Sequence, residues 1–235
     1  MIKPIIHAWD DFVSLLFPRL CLACENPLPY NEPFLCVDCQ ISLPLVDFDS
    51  YKSNRITERF EGRVPLESAA ALFYFSKLSK TQHLIHNIKY NDKREAATEM
   101  GRMLGQKLIQ SPYFQGIDLI LPVPLHLRKQ ILRGYNQAEF FANGLSDVTQ
   151  IPTRLDILLK TRMTETQTRK NRLERLKNTE DVYFCSKPAV LKGKHILLVD
   201  DVLTTGATLE ACALAILDKE PEVKISFATI AFARM

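Results

Sequence analysis

Long apolar stretches are missing from this 235-residue chain; no run approaches the ~20 residues that a membrane span requires. No membrane-crossing segment is therefore expected. The N-terminal MIKPIIHAWDDFVSLLFPRL is interrupted by Asp10 and Asp11, and no small-residue cleavage site follows it, which argues against a signal peptide. It reads instead as an amphipathic helix with Ile5, Ile6, Trp9, Phe12, Val13, Leu16 and Phe17 on one side, and a cytoplasmic location is expected. An excess of one charge is also missing: 30 Lys and Arg against 27 Asp and Glu leave +3, too little to imply nucleic-acid binding by itself. No Gly-Lys-Ser/Thr follows a glycine loop, so a Walker phosphate loop is excluded. His7, His83, His86 and His195 form no ligand or triad pattern; His83 and His86 are suitably spaced on a helix but lack a third ligand. There are no internal repeats and no low-complexity tracts. The hydrophobic content of 46% and charged content of 24% are ordinary for a globular protein. The length fits one α/β domain of about 150–180 residues beside a small module.

What is present concentrates in residues 196–208, ILLVDDVLTTGAT. Ile196 to Val199 has the composition of a strand buried on both faces, and Asp200 and Asp201 sit where that strand is expected to end. Thr204, Thr205, Gly206, Ala207 and Thr208 follow, and then an alanine- and leucine-rich helical pattern over Leu209–Lys219. A helix start offers unpaired N–H groups and a positive dipole end to an anion. Gly206 lets backbone approach a phosphate, and the threonines add hydroxyl donors. Carboxylates repel phosphate, so the acid pair suits sugar hydroxyls, directly or through a metal-bound water. The pattern resembles the phosphoribosyl-pyrophosphate (PRPP) loop of type I phosphoribosyltransferases. That resemblance implies that Asp200 and Asp201 bind the ribose 2′- and 3′-hydroxyls and that Thr204 to Thr208 bind the 5′-phosphate.

Four of the six cysteines form Cys21-x2-Cys24-x11-Cys36-x2-Cys39. Paired Cys-x-x-Cys knuckles around a short loop have the ligand spacing of a four-cysteine zinc site, structural because four thiolates leave no open position. An iron–sulfur cluster and a redox pair are the alternatives. Pro27, Pro29 and Pro33 stiffen the loop, and such a short segment would depend on its metal to fold. Cys185 and Cys212 stand alone, Cys212 as a buried small hydrophobe.

Residues 1–60 are expected to form the N-terminal helix and cysteine ribbon, and 61–235 the main domain, with Leu43–Arg63 a polar, irregular connector. Strands are expected at Glu67–Phe75, Ile117–Val123, Ile157–Leu159 and Lys224–Phe232, and helices at Leu78–Tyr90, Lys93–Gln110 and Gln137–Leu145. This alternation implies an α/β fold with a mostly parallel central sheet, whose ligands gather at the carboxyl ends of the strands.

Pro122-Val123-Pro124-Leu125-His126-Leu127-Arg128 follows one buried strand, and Arg133-Gly134-Tyr135-Asn136-Gln137-Ala138-Glu139 opens the next helix. Backbone at Val123 and Pro124, with Arg128 and Arg133, would serve the pyrophosphate half of PRPP. Read alone, the segment is a structural turn before a solvated basic helix. Arg162–Asn178 is strongly basic, with Arg162, Arg169, Lys170, Arg172, Arg175 and Lys177 against Glu165 and Glu174. It fits a solvated helix laced with ion pairs, and equally a lid that closes on pyrophosphate.

Together these segments resemble the ComF/GntX family of phosphoribosyltransferase-like proteins. The matches are Cys21, Cys24, Cys36 and Cys39; Pro122 to His126 with Arg133 to Glu139; Thr164, Gln167, Arg175 and Asn178; and Asp200 to Thr208, with Lys89-Tyr90 in addition. One departure is Lys170, where the family usually has leucine, and it bears on the packing of the lid. The resemblance implies a type I phosphoribosyltransferase fold, a zinc ribbon, PRPP bound with Mg²⁺, and lid contacts from Arg162, Thr164, Gln167 and Arg175. It implies phosphoribosyl transfer to an unknown acceptor. The alternative it carries is a PRPP- or nucleotide-sensing accessory protein for DNA uptake in natural transformation, meeting single-stranded DNA or a competence helicase. Basic residues bind phosphate backbones, but stacking aromatics are not evident near 162–178.

Overall fold

The computed structural model describes residues 18–29, 31–47, 50–125, 127–160 and 183–233, with 127–129 as backbone alone. The expected N-terminal helix and the basic lid lie outside these residues. Four strands, β1 (Ser68–Phe75), β2 (Leu119–Pro122), β5 (His195–Leu203) and β6 (Lys224–Ala233), form one sheet in the order β1-β6-β5-β2. Every pairing in it is parallel. The strand carrying the acids is therefore central, with neighbours on both sides.

Its alternate residues explain the layers. Leu197 and Val199 face one hydrophobic cluster, and Ile196 and Leu198 face another. Strands covered on both faces read as continuous apolar runs rather than alternating ones. One face is covered by α3 (Lys80–Tyr90), α4 (Arg94–Leu108) and α6 (Gln137–Thr149). The other is covered by α2 (Arg55–Arg59), α7 (Ala207–Leu217) and the short antiparallel pair β3 (Leu158–Lys160) and β4 (Tyr183–Cys185). Helix starts are capped by polar side chains: Ser79 accepts from the Gln82 N–H, Asn136 from Ala138, and Asn54 from Ile56 and Thr57.

The sequence expectations needed three corrections. β5 does not stop before Asp200; it continues to Leu203, because the ten-residue β6 supplies ladder partners as far as Phe232. The strand near Ile157 pairs antiparallel with Tyr183–Cys185, outside the main sheet. The supposed connector 43–63 is not irregular. It holds α2, and Leu43, Val46, Ile56 and Phe60 are buried in the core. Helix and strand ends otherwise shift by a few residues, the largest being α6, which runs on to Thr149.

The cysteine segment includes α1 (Val37–Ser42) and shares a hydrophobic cluster with α3 and α4. Asn87 on α3 donates to the Leu22 carbonyl at 2.8 Å, which ties the two together. After α6, α5 (Leu127–Arg133) completes the described helices, and none of them is long and apolar enough to cross a membrane.

Helices α4 and α6 approach closely through glycine. A Cβ on Gly144 would lie 1.9 Å from the Thr98 carbonyl oxygen, and one on Gly101 would lie 2.2 Å from that of Phe141. Backbone cannot give way as a flexible side chain can. Gly144→Ala is therefore expected to cost about 1–3 kcal/mol through overpacking, read from the urea midpoint; an unchanged midpoint would contradict the close crossing.

Candidate functional site

The sheet's carboxyl edge opens into a cavity of about 420 Å³, a size suited to a small-molecule ligand. Asp200, Asp201, Thr204 and Thr208 line it, as do Val123, Pro124 and Arg133 from the opposite wall. The two expected half-sites thus share one space. Asp201 is paired with Lys89 at 3.0 Å, and Asp200 accepts a hydrogen bond from the Asp201 N–H at 2.8 Å. Burial, then the neighbouring Asp201 carboxylate, push the Asp200 carboxyl up to about 7. Cys212 is fully buried, and burial together with Asp200 raises its thiol well above the usual range, so it is inert.

Gly206 is the residue before α7 and has φ +87°, the left-handed region that favours glycine. A Cβ there would also lie 2.6 Å from Phe60 Cζ. Conformation and space demand glycine independently. Phe60 meets Phe227 edge-on at 5.0 Å, so the loop rests on the core. Arg59 donates to the carbonyls of Thr204 and Ala233, the latter at 3.0 Å, and lies over Phe232 at 4.6 Å. Arg63 pairs with Glu210 on α7 at 2.6 Å. The loop is thereby held from behind while Thr204, Thr205, Ala207 and Thr208 stay exposed. Eleven residues of α7 direct their N-terminal N–H groups and dipole toward that exposed side.

The opposite wall has a structural logic of its own. Asn136 donates to the Val123 carbonyl at 3.0 Å while capping α6, which locks the Pro-Val-Pro turn to the helix start. Tyr135 is buried and donates to the Ile88 carbonyl. Arg133 reaches Gln137 at 3.1 Å and the Tyr90 hydroxyl at 3.3 Å, with its guanidinium 5.0 Å above the Tyr90 ring. The Arg133–Glu139 motif therefore builds the wall, and Arg133, Asn136 and Gln137 are its members that line the cavity.

Cys21, Cys24, Cys36 and Cys39 converge, with all ligand atoms within 4.8 Å of one another. Cys24 Sγ and Cys36 Sγ are 3.7 Å apart, and the Cys36 N–H donates to Cys21 Sγ at 3.4 Å. No disulfide links them, and the cluster fits one metal ion.

Some expected site residues are not brought together here. Arg128 lies on α5 and only its backbone is described, while Arg162, Thr164, Gln167 and Arg175 lie outside the described residues. Others line the cavity without having been read as site residues: Phe75, Gln82, His86, Lys160 and Tyr183. Lys160 donates to the Tyr183 hydroxyl at 3.1 Å. Gln82, His86 and Lys89 follow helical spacing along α3, a polar stripe visible in the sequence. Nothing local marks Lys160, Tyr183, Arg59 or Phe60.

Residues 133–235 match the phosphoribosyl transferase domain family. With the parallel sheet, this makes the chain a protein of phosphoribosyltransferase fold carrying an N-terminal cysteine cluster. More particularly, it is similar to the competence protein ComFC and to the DNA utilization protein YhgH. It is 30% identical to YhgH of Escherichia coli O157:H7 over 57% of this chain and 60% of that protein, so the match spans about three fifths of the relative's length. The version from Salmonella typhi is 28% identical over 86% of this chain and 92% of its own. Competence protein ComFC of Bacillus subtilis is 33% identical over 48% of this chain and 43% of its own. Among solved structures, the B. subtilis glutamine PRPP amidotransferase aligns with a TM-score of 0.43 and 20% identity, over 61% of this chain and 30% of that one.

The raised Asp200 carboxyl has a consequence for stability. An unfolded aspartate ionises near about 3.9, whereas the folded one holds its proton to about 7. Between those values the native state binds the extra proton, so the group's contribution to stability falls as pH rises through that window and is level above it. Asp200→Asn cannot ionise. It is expected to be more stable than wild type at pH 8 and to lose most of that advantage at pH 4, in paired thermal melts. An equal difference at both pH values would contradict the assignment.

Proposed function

We propose that this chain binds PRPP with Mg²⁺ and transfers its phosphoribosyl group to an acceptor whose identity is open. The observation that carries this is the convergence of an acid pair, a helix-start phosphate loop and Arg133 around one ligand-sized cavity. Asp200 and Asp201 take the ribose hydroxyls, and Thr204 to Thr208 take the 5′-phosphate. Arg128 and Arg133 take the pyrophosphate, with Arg162, Thr164, Gln167 and Arg175 closing over it. Val123 and Pro124 only shape that wall, because the Val123 N–H is spent on the Val199 carbonyl at 2.8 Å and proline has none.

Transfer breaks the bond between the anomeric carbon and pyrophosphate, with the electron pair leaving on pyrophosphate. An acceptor lone pair forms the new bond, and the acceptor then loses its proton. Positive charge builds on the ribose beside the acid pair, and negative charge on the leaving group beside the cations. No covalent nucleophile is required. Asp200 and Asp201 are the carboxylates among the described cavity-lining residues, and with the ligand's own oxygens they suit Mg²⁺. When bound, that ion would neutralise charge on the leaving pyrophosphate.

We assign zinc to the four cysteines of the N-terminal module. Of the expected residues 1–60, residues 54–60 go with 61–235 as the transferase-like domain, since Ile56 and Phe60 are buried in its core. Zn–S bonds of about 2.3 Å in a tetrahedron give S···S edges of about 3.8 Å, close to the 3.7 Å between Cys24 and Cys36. Thiols kept reduced as metal ligands suit the cytoplasm. A second reading is favoured by the names of the relatives, competence and DNA utilization proteins. In it, PRPP or nucleotide binding without turnover serves DNA uptake, with single-stranded DNA or a helicase as partner.

PRPP with Mg²⁺ is expected to raise the melting temperature, and Asp200→Asn with Asp201→Asn to abolish the shift; an equal shift in both proteins would sink the assigned site. Pyrophosphate release across a panel of bases and amines selects the transferase reading, and binding without release selects the sensor. Elemental analysis is expected to find about one zinc per chain, lost in Cys36→Ser. A folded protein free of metal would refute the ribbon.

A further inference from the structure

Lys89 is given no ligand in the site as assigned above, yet it lines the cavity. It sits in the last turn of α3, and its ammonium contacts Asp201 at 3.0 Å. Lys89 and Asp201 are both largely withdrawn from solvent, with side-chain exposures of 22% and 13%. The next residue, Tyr90, faces the other way along the wall. Its hydroxyl accepts from Arg133 at 3.3 Å, and the Arg133 guanidinium stacks over its ring. Two consecutive residues thus bridge the gap between the acid pair and the Pro-Val-Pro side. The lysine stands where the ribose subsite gives way to the pyrophosphate subsite.

We infer that Lys89 is a pyrophosphate-binding residue that holds Asp201 while the site is empty and turns to the pyrophosphate once ribose hydroxyls occupy the acid pair. This rests on the PRPP reading above. A carboxylate accepts several hydrogen bonds, so Asp201 can exchange the ammonium for hydroxyl donors without remaining unpaired. The lysine head is a compact charge on a flexible stem, with three donors that suit phosphate oxygens. Its ion pair keeps the two adjacent acids tolerable before the ligand arrives. Once released, the same charge faces the group on which negative charge develops. Lys89 is thus used in both states, against Asp201 in one and against pyrophosphate in the other.

A purely structural lysine, tethering α3 to β5, would behave differently. Its loss would weaken every ligand alike and lower the melting temperature. The two roles separate by calorimetric titration of wild type, Lys89→Met and Lys89→Arg with ribose 5-phosphate and, separately, with inorganic pyrophosphate, both with Mg²⁺. Lys89→Met is expected to weaken pyrophosphate by about ten- to a hundredfold, the size of one lost charged contact. Ribose 5-phosphate is expected to bind unchanged or more tightly, because Asp201 is freed. Lys89→Arg is expected to keep pyrophosphate binding. Unchanged pyrophosphate affinity in Lys89→Met, or parallel loss of both ligands, overturns the inference. Wild type that binds neither ligand overturns the PRPP reading itself. Should Lys89→Met not fold, Lys89→Gln, which keeps a polar head without charge, is titrated in its place and read by the same outcomes.

Discussion

Two carboxylates on consecutive residues of a buried central strand repel each other, and the rest of the site is arranged around that repulsion. The cost is carried by Asp200, whose carboxyl is pushed upward, and is offset by Lys89 on Asp201. The main-chain N–H of Asp201 adds a donor to Asp200. Lys160 contributes from the far side, through its charge near Asp200. Neither lysine is near the acids in sequence. The strand supplies the chemistry, and α3 and β3 make it tolerable.

The Thr204–Thr208 loop depends on a second long-range arrangement. Gly206 is held in the left-handed region with a phenylalanine ring against its α-carbon, and Arg59 ties down the Thr204 carbonyl from behind. Residues 54–63 are therefore the rear support of a loop some 145 residues further along the chain. A loop whose residues stay exposed gains little rigidity from its own backbone. Rigidity has to come from elsewhere, and α2 provides it. The same segment looks polar and irregular when read locally, because its apolar residues are few and meet their partners only in the folded core.

The matched phosphoribosyl transferase domain begins at Arg133, yet half of the cavity wall lies before it. Phe75, Gln82, His86, Lys89, Val123 and Pro124 come from β1, α3 and the turn after β2. The cysteine segment packs on that same half through Asn87 and the apolar faces of α3 and α4. The cysteine cluster and the cavity thus share a helix, with the cysteine segment against one stretch of α3 and Asp201 against its last turn.

The sequence by itself determined the order of strand, acid pair, hydroxyl loop and helix, the four-cysteine spacing and the parallel α/β class. Those features follow from local periodicity and from residue chemistry within a few positions of each other. Asp200, Asp201 and Thr204 to Thr208 were legible for that reason, and so were Cys21, Cys24, Cys36 and Cys39. Only the tertiary structure decided that β5 runs on through its acids, that 54–63 is core, and that Lys89, Lys160 and Arg59 stand where they do. A strand's end is set by how far its neighbour extends, and a lone lysine or arginine carries no sign of its partner. Such contacts exist only once the sheet and its covering helices bring distant segments within a few ångströms of one another.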